Sequence, residues 1–161
     1  MPAPFLFDIG NVILFFDFQL AVERVAPSCS MPAAEILPQL APLTKAFECG
    51  EMDTSAFVDT AAEKIGFSED PQHLIAALED IFAVNESMVT VIDSLHAAGQ
   101  PLYLLSNTNA IHVPYFTKRY SVFEKFSGAI YSHEVGTMKP EPAIYQAAID
   151  RFDLDPAQTI Y

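Results

Sequence analysis

The chain has 161 residues, 51% of them hydrophobic, which is enough to bury a core and excludes a disordered polymer. Its formal net charge of −13 argues against nucleic acid or an anionic membrane as a partner, so an anionic substrate has to be met by local cations. No apolar run approaches the roughly 18 residues that cross a bilayer. Met1-Pro2-Ala3-Pro4 lacks a basic leader region, and Cys29 and Cys49 lack CxxC spacing. These features predict a cytoplasmic protein with two packed, unpaired thiols.

In chain order, Phe5-Leu6-Phe7 reads as a buried strand that stops abruptly at Asp8. Open α/β sheets bind ligands at the carboxyl ends of their strands, so Asp8 is placed as a reactive or metal-binding carboxylate. Gly10 gives the backbone unusual freedom and close approach to a ligand, and Asn11 reads as a turn residue. The apolar run resumes through Val12–Phe16 and ends at Asp17, a solvated helix start. Phe18, Ala21, Val22 and Val25 recur at helical spacing, followed by a break from Pro27 to Pro32. A second helix is predicted over Ala33–Leu40, limited by Pro38 and Pro42. A third, capped near Asp53 or Thr54 and stopped at Gly66, presents Phe57, Val58, Ala61, Ala62 and Ile65. Asp70-Pro71 opens a fourth, with the stripe Leu74, Ile75, Leu78, Ile81 and Phe82. No strand is predicted from 17 to 85, which reads as an inserted helical subdomain.

Asn85 caps the next helix, whose stripe is Met88, Val91, Ile92 and Leu95, ending at Gly99. Pro101–Leu105 is an apolar strand that runs into Ser106-Asn107-Thr108. A helix interrupted by Pro114 covers Ala110–Tyr120, a short strand covers Ala129–Tyr131, and Val135–Pro140 reads as a loop. The next helix begins near Pro140 and buries Ile144, Ala148, Ile149 and Phe152. Thr159-Ile160-Tyr161 reads as the opening of another buried strand. Helices alternating with strands over short connections give a parallel α/β sheet with crossovers, formed by 1–16 and 86–161 around a helical insert at 17–85.

Asp8, Ser106 and Lys139 each sit at a strand end or just before a helix, and parallel topology brings them to one sheet edge. A carboxylate, a hydroxyl and an ammonium form a coherent set for phosphoryl transfer: attack on phosphorus, cradling of its oxygens and neutralisation of charge. A Mg²⁺ ion bridging carboxylate and phosphate completes the electrostatics. His112 and His133 read as surface or boundary histidines, and His73 and His96 carry no assignment.

Phe7-Asp8-Ile9-Gly10-Asn11-Val12, Leu104-Leu105-Ser106-Asn107-Thr108 and Met138-Lys139-Pro140-Glu141-Pro142-Ala143-Ile144-Tyr145 resemble, in order and spacing, three motifs of the haloacid dehalogenase superfamily. Phe47-Glu48-Cys49-Gly50-Glu51 and Ser106-Asn107-Thr108-Asn109 resemble most its sugar-phosphate phosphatases, of the kind acting on glucose-1-phosphate. The resemblance implies a Rossmann-like core with a helical cap, and a Mg²⁺-dependent hydrolase of a small phosphorylated metabolite working through an aspartyl-phosphate. It makes Asp8 nucleophile and metal ligand, Gly10 a backbone metal ligand, and Ser106, Asn107 (through its N–H) and Lys139 phosphoryl binders. Two departures stand out. The family's second aspartate, a general acid/base, is replaced by Gly10, and an acidic fourth motif is expected directly after Tyr161. The resemblance therefore implies a chain truncated before that motif, with weak Mg²⁺ binding, impaired turnover, and dimerisation or segment swapping. The alternatives are a metal-independent hydrolase like the 2-haloacid dehalogenases, and a catalytically dead relative.

Overall fold

The computed structural model describes residues 3–161. β1 (Phe5–Phe7) pairs in parallel with β4 (Leu102–Ser106), and β4 pairs in parallel with β5 (Gly128–Tyr131). Phe5 lies opposite Leu102, and Tyr103 opposite Gly128. Successive strand side chains point to opposite faces. Leu6, Leu105 and Ile130 therefore meet Ile144 and Ala148 of α8 (Pro142–Phe152) on one face. Leu102, Leu104 and Tyr131 meet Ile92 of α5 (Glu86–Ala97) and Phe116 of α6 (His112–Arg119) on the other. Cover on both faces is what lets these strands read as unbroken apolar runs.

On the other side of β1, the Leu6 N–H donates to the Ile160 carbonyl at 2.8 Å, and the Ile160 N–H donates to the Pro4 carbonyl at 2.9 Å. The expected last strand is thus adjacent to the first, but it is not buried: Ile160 is 50% and Tyr161 62% exposed. Tyr161 meets Tyr145 edge-on, a one-sided contact that leaves its ring wet.

The insert is a helical cap of α1 (Phe18–Val25), α2 (Ala33–Glu48), α3 (Thr54–Ile65) and α4 (Gln72–Glu79) around its own core, which includes Val22, Ile36, Val58 and Ile65. Phe47 stacks on Phe57 with ring centroids 4.3 Å apart. α2 overrides the expected stop at Leu40 and continues through Pro38 and Pro42 to Glu48. An interior proline costs a helix about 3 kcal/mol. Burial of Ile36, Leu43 and Phe47 along one face offsets that loss.

The cap also contains a strand where none was predicted. β3 (Phe82–Val84) pairs antiparallel with β2 (Leu14–Phe16), Leu14 opposite Val84, so the chain leaves and re-enters the core through a two-stranded ribbon. Ile81 and Phe82 consequently leave the predicted helix. Arg24 donates to the Asp80 carbonyl at 2.8 Å and pairs with its carboxylate at 3.0 Å, fixing the turn just after the helix end. Pro114 does not interrupt α6, because it falls in the first turn, where a missing N–H breaks no helical bond. The loop expected over Val135–Pro140 starts one residue later, because Val135 closes a short α7 (Ser132–Val135). Among the described residues, no helix is long and apolar enough to cross a membrane.

As read from the sequence, Asp53 caps α3 by accepting from the Ala56 N–H at 2.8 Å, and Gly66 ends it at φ +62°. A Cβ on Gly66 would lie 1.9 Å from Ser30 Oγ, whereas one on Gly99 (φ +71°) would meet nothing within 4 Å. Gly99→Ala is expected to cost about 1–2 kcal/mol for the left-handed backbone alone. Gly66→Ala should cost measurably more in urea unfolding, because Ser30 must also move.

Candidate functional site

The carboxyl ends of β1, β4 and β5 form one edge, and each delivers a polar group directly after its last apolar residue: Asp8, Ser106 and Ser132. One Asp8 oxygen accepts from the Ile9 N–H at 2.7 Å, and the other pairs with Lys139 Nζ at 2.6 Å. The Lys139 side chain is 13% exposed and that of Asp8 34%, so the ammonium is largely withdrawn from water while the carboxylate keeps one open side. Lys139 Nζ also donates to the Leu105 carbonyl at 3.2 Å and to the Tyr161 hydroxyl at 3.3 Å.

The Lys139 loop is held by the Asn107 side chain rather than by its backbone. Asn107 Oδ1 accepts from the Lys139 N–H at 2.8 Å, and Asn107 Nδ2 donates to the Lys139 carbonyl at 3.0 Å. This reciprocal clamp fixes the ammonium that faces Asp8. The Ser106 hydroxyl is buried and makes only a long 3.4 Å contact with the Asn107 carbonyl. Its proton is available to an incoming acceptor.

Gly10 lies in a tight turn closed by the Ile13 and Leu14 N–H groups on the Ile9 carbonyl and by the Asn11 N–H on the Leu14 carbonyl. These bonds leave the Gly10 carbonyl uninvolved. The unusual backbone falls one residue later than expected, at Asn11 (φ 57°). What Gly10 supplies is space, since a Cβ there would lie 2.9 Å from Phe16 Cε1. Gly10, Ser106, Asn107 and Thr108 line a cavity of about 70 Å³ together with Phe16, Phe18, Glu48, Phe82 and His112.

Sequence reasoning missed several members of this edge. Ser132 is fully buried, and its hydroxyl accepts from the Thr108 N–H at 2.9 Å and donates to the Thr108 carbonyl at 3.1 Å, tying the β4 and β5 ends together. Its signal was available: Ser132 follows β5 as Ser106 follows β4. Asn109 Oδ1 accepts from the Ile111 and His112 N–H groups and Asn109 Nδ2 faces His112 Nδ1 at 3.1 Å, so this side chain both opens α6 and orients the histidine. His112 is not a surface residue but a buried, neutral one. Burial lowers its pKa from an ordinary 6.5 to about 4, against the raising effect of a hydrogen bond to the Leu78 backbone. Cys29 and Cys49 are both free, as expected.

The haloacid dehalogenase-like hydrolase family matches residues 5–161. The chain belongs to the haloacid dehalogenase-like hydrolases. A haloacid dehalogenase family enzyme of Bacteroides thetaiotaomicron, solved with magnesium and inorganic phosphate, superposes with a TM-score of 0.84 at 25% identity, over 99% of this chain and 83% of that one. A HAD-like hydrolase from Porphyromonas gingivalis gives 0.78 at 24% identity, over 99% and 80%. An L-2-haloacid dehalogenase gives 0.67 at 18% identity, over 98% and 76%. The hydrolase fold of this family, a parallel sheet with a helical insert, is the fold described above.

Two outcomes follow from the geometry. Asn107→Ala should destabilise the chain by about 1–3 kcal/mol, because the Lys139 N–H and carbonyl lose their partners. For His112, the unfolded chain binds a proton below pH 6.5 that the folded chain refuses until about pH 4. Folded-state stability should therefore fall as pH drops through that window, by up to about 3 kcal/mol, and level off below it. Urea unfolding across the window should show a flatter dependence in His112→Gln.

Proposed function

We propose that this hydrolase cleaves a small phosphomonoester, with a sugar phosphate as one candidate class, through an aspartyl-phosphate on Asp8. The observation that carries this reading is the Asp8–Lys139 pair at the carboxyl edge of the sheet, beside a phosphoryl-sized cavity lined by Gly10, Ser106 and Asn107. The similar Bacteroides enzyme crystallised with magnesium and inorganic phosphate supports the same chemistry.

In this reading the Asp8 carboxylate attacks phosphorus, with one oxygen held by the Ile9 N–H. Lys139 neutralises charge on the nucleophile and then on the phosphoryl oxygens, its position fixed by the Leu105 carbonyl and the Asn107 clamp. The Ser106 hydroxyl turns its free proton toward a phosphoryl oxygen.

The donors present suit Mg²⁺ as a partial shell: the Asp8 carboxylate and the uninvolved Gly10 carbonyl are hard oxygens. Mg²⁺ commonly takes one or two carboxylates and completes its shell with water and phosphate. Among the described residues, no group of three His, Cys, Asp or Glu side chains forms a closed cage. When bound, the ion supplies charge neutralisation and polarisation of the phosphoryl group.

A second reading, metal-independent attack of Asp8 on carbon as in 2-haloacid dehalogenases, draws on the absence of a side-chain acid at Gly10 and on the lower-scoring dehalogenase superposition. Hydrolysis of p-nitrophenyl phosphate, with and without EDTA, separates the two. The first reading expects Mg²⁺-dependent turnover that falls to background in Asp8→Asn. Chloride release from 2-chloropropionate, unaffected by EDTA, would favour the second.

A further inference from the structure

The cap holds an apolar chamber of about 380 Å³, walled by side chains such as Val22, Val25, Ile36, Leu40, Phe57 and Leu74. Phe18, Glu48 and His112 line both this chamber and the small cavity at the sheet edge. An ester whose phosphoryl group sits beside Ser106 and whose organic group fills the chamber has its bridging oxygen at that shared boundary. Among small phosphomonoesters, a chamber walled mostly this way favours those with an apolar organic group over sugar phosphates, because buried hydroxyls without partners cost free energy.

The end of α2 is seated on the carboxyl edge of the sheet by two contacts made directly after Glu48. Cys49 Sγ lies 3.5 Å from Met138 Sδ, one residue before Lys139. Gly50, at φ +71°, lies so close against α7 that a Cβ would be 2.2 Å from the His133 carbonyl oxygen. The position of Glu48 is therefore set by the packing of the next two residues on the Lys139 loop and on α7.

Loss of an alkoxide requires a proton donor, and the ionisable residues lining the small cavity are Glu48 and His112. His112 is neutral and spent on Asn109 and Leu78. Asp8 is committed to Lys139. Glu48 has no hydrogen-bond or ion-pair partner among the described residues, and burial pushes its carboxyl up toward the protonated form. Nearby, Lys45 lines the chamber and His133 underlies Gly50. The ionisable residues of α1 (Glu23, Arg24) and α3 (Asp59, Glu63, Lys64) are exposed and line neither cavity.

We infer that Glu48, delivered by the cap, is the acid–base residue for the ester's bridging oxygen, a role that rests on the phosphomonoesterase reading. As an Asp8 oxygen bonds to phosphorus, the phosphorus–oxygen bond to the leaving group breaks. Its electron pair stays on the bridging oxygen, which takes the Glu48 proton and departs as an alcohol. The Glu48 carboxylate then takes a proton from water as the water oxygen bonds to phosphorus. The acyl-phosphate bond breaks, restoring the Asp8 carboxylate and releasing inorganic phosphate.

The test compares octyl phosphate with p-nitrophenyl phosphate, whose leaving group needs no proton, in the unsubstituted chain, Glu48→Gln and Glu48→Asp with Mg²⁺. In the first turnover, Glu48→Gln should lose about 10²–10⁴ in the rate of octanol release yet keep the order of magnitude of the p-nitrophenol burst, whereas steady-state turnover of both esters should fall because the second step needs the Glu48 base. It should also lose the fall in kcat/KM as pH rises through the Glu48 pKa, and Glu48→Asp should recover part of the loss. Equal first-turnover losses on both esters, or an unchanged pH profile, would overturn the Glu48 role alone. Turnover of neither ester by the unsubstituted chain would overturn the phosphomonoesterase reading and this role with it.

Discussion

The contact on which the site depends is the 2.6 Å pair between Asp8 and Lys139. Withdrawing a charge such as the Lys139 ammonium from water is costly unless it is paired and its remaining hydrogen-bonding capacity is met. Here it is met on both sides: the Ile9 N–H serves Asp8, and the Leu105 carbonyl serves Lys139. The pair in turn requires that β1 and β4 be parallel neighbours, so that Asp8 and the β4 end face the same way. Everything else in the core, from the apolar faces of α5, α6 and α8 to the Ser132–Thr108 tie, keeps those strand ends in register.

The cap depends on the same edge. Its helices have a core of their own, but α2 ends against α7 and the Lys139 loop, with Gly50 allowing the close approach and Cys49 packing on Met138. The ribbon of β2 and β3 ties both crossings of the cap boundary to each other. A cap anchored in this way holds Glu48 beside the cavity lined by Gly10, Ser106 and Asn107. On the proposed reading, that is how the α/β core recruits chemistry that its own strand ends do not supply.

Much of this was legible in the sequence because the signals were local. Asp53, Gly66 and Asn85 mark helix ends through side-chain acceptors or a left-handed backbone, and the abrupt change from Phe7 to Asp8 marks a strand end. What was not legible came from tertiary context. Pro38 and Pro42 are helix breakers by propensity, tolerated because the α2 face is buried. Phe82 fits a helical stripe in sequence but is captured by pairing with Phe16. The Asn107 clamp and the buried state of His112 join residues whose partners lie on other elements or emerge only once the chain folds. The candidate site residues followed the same division: Asp8, Ser106 and Lys139 were visible as motif positions, whereas the contacts that Ser132, Asn109 and Glu48 make or lack required the fold.

The most direct measurement is acid-quenched peptide mass spectrometry of the chain during turnover of p-nitrophenyl phosphate with Mg²⁺. A phosphoryl adduct is expected on the N-terminal peptide, localised to Asp8. Turnover with no adduct at Asp8, or with the adduct on another residue, would contradict it.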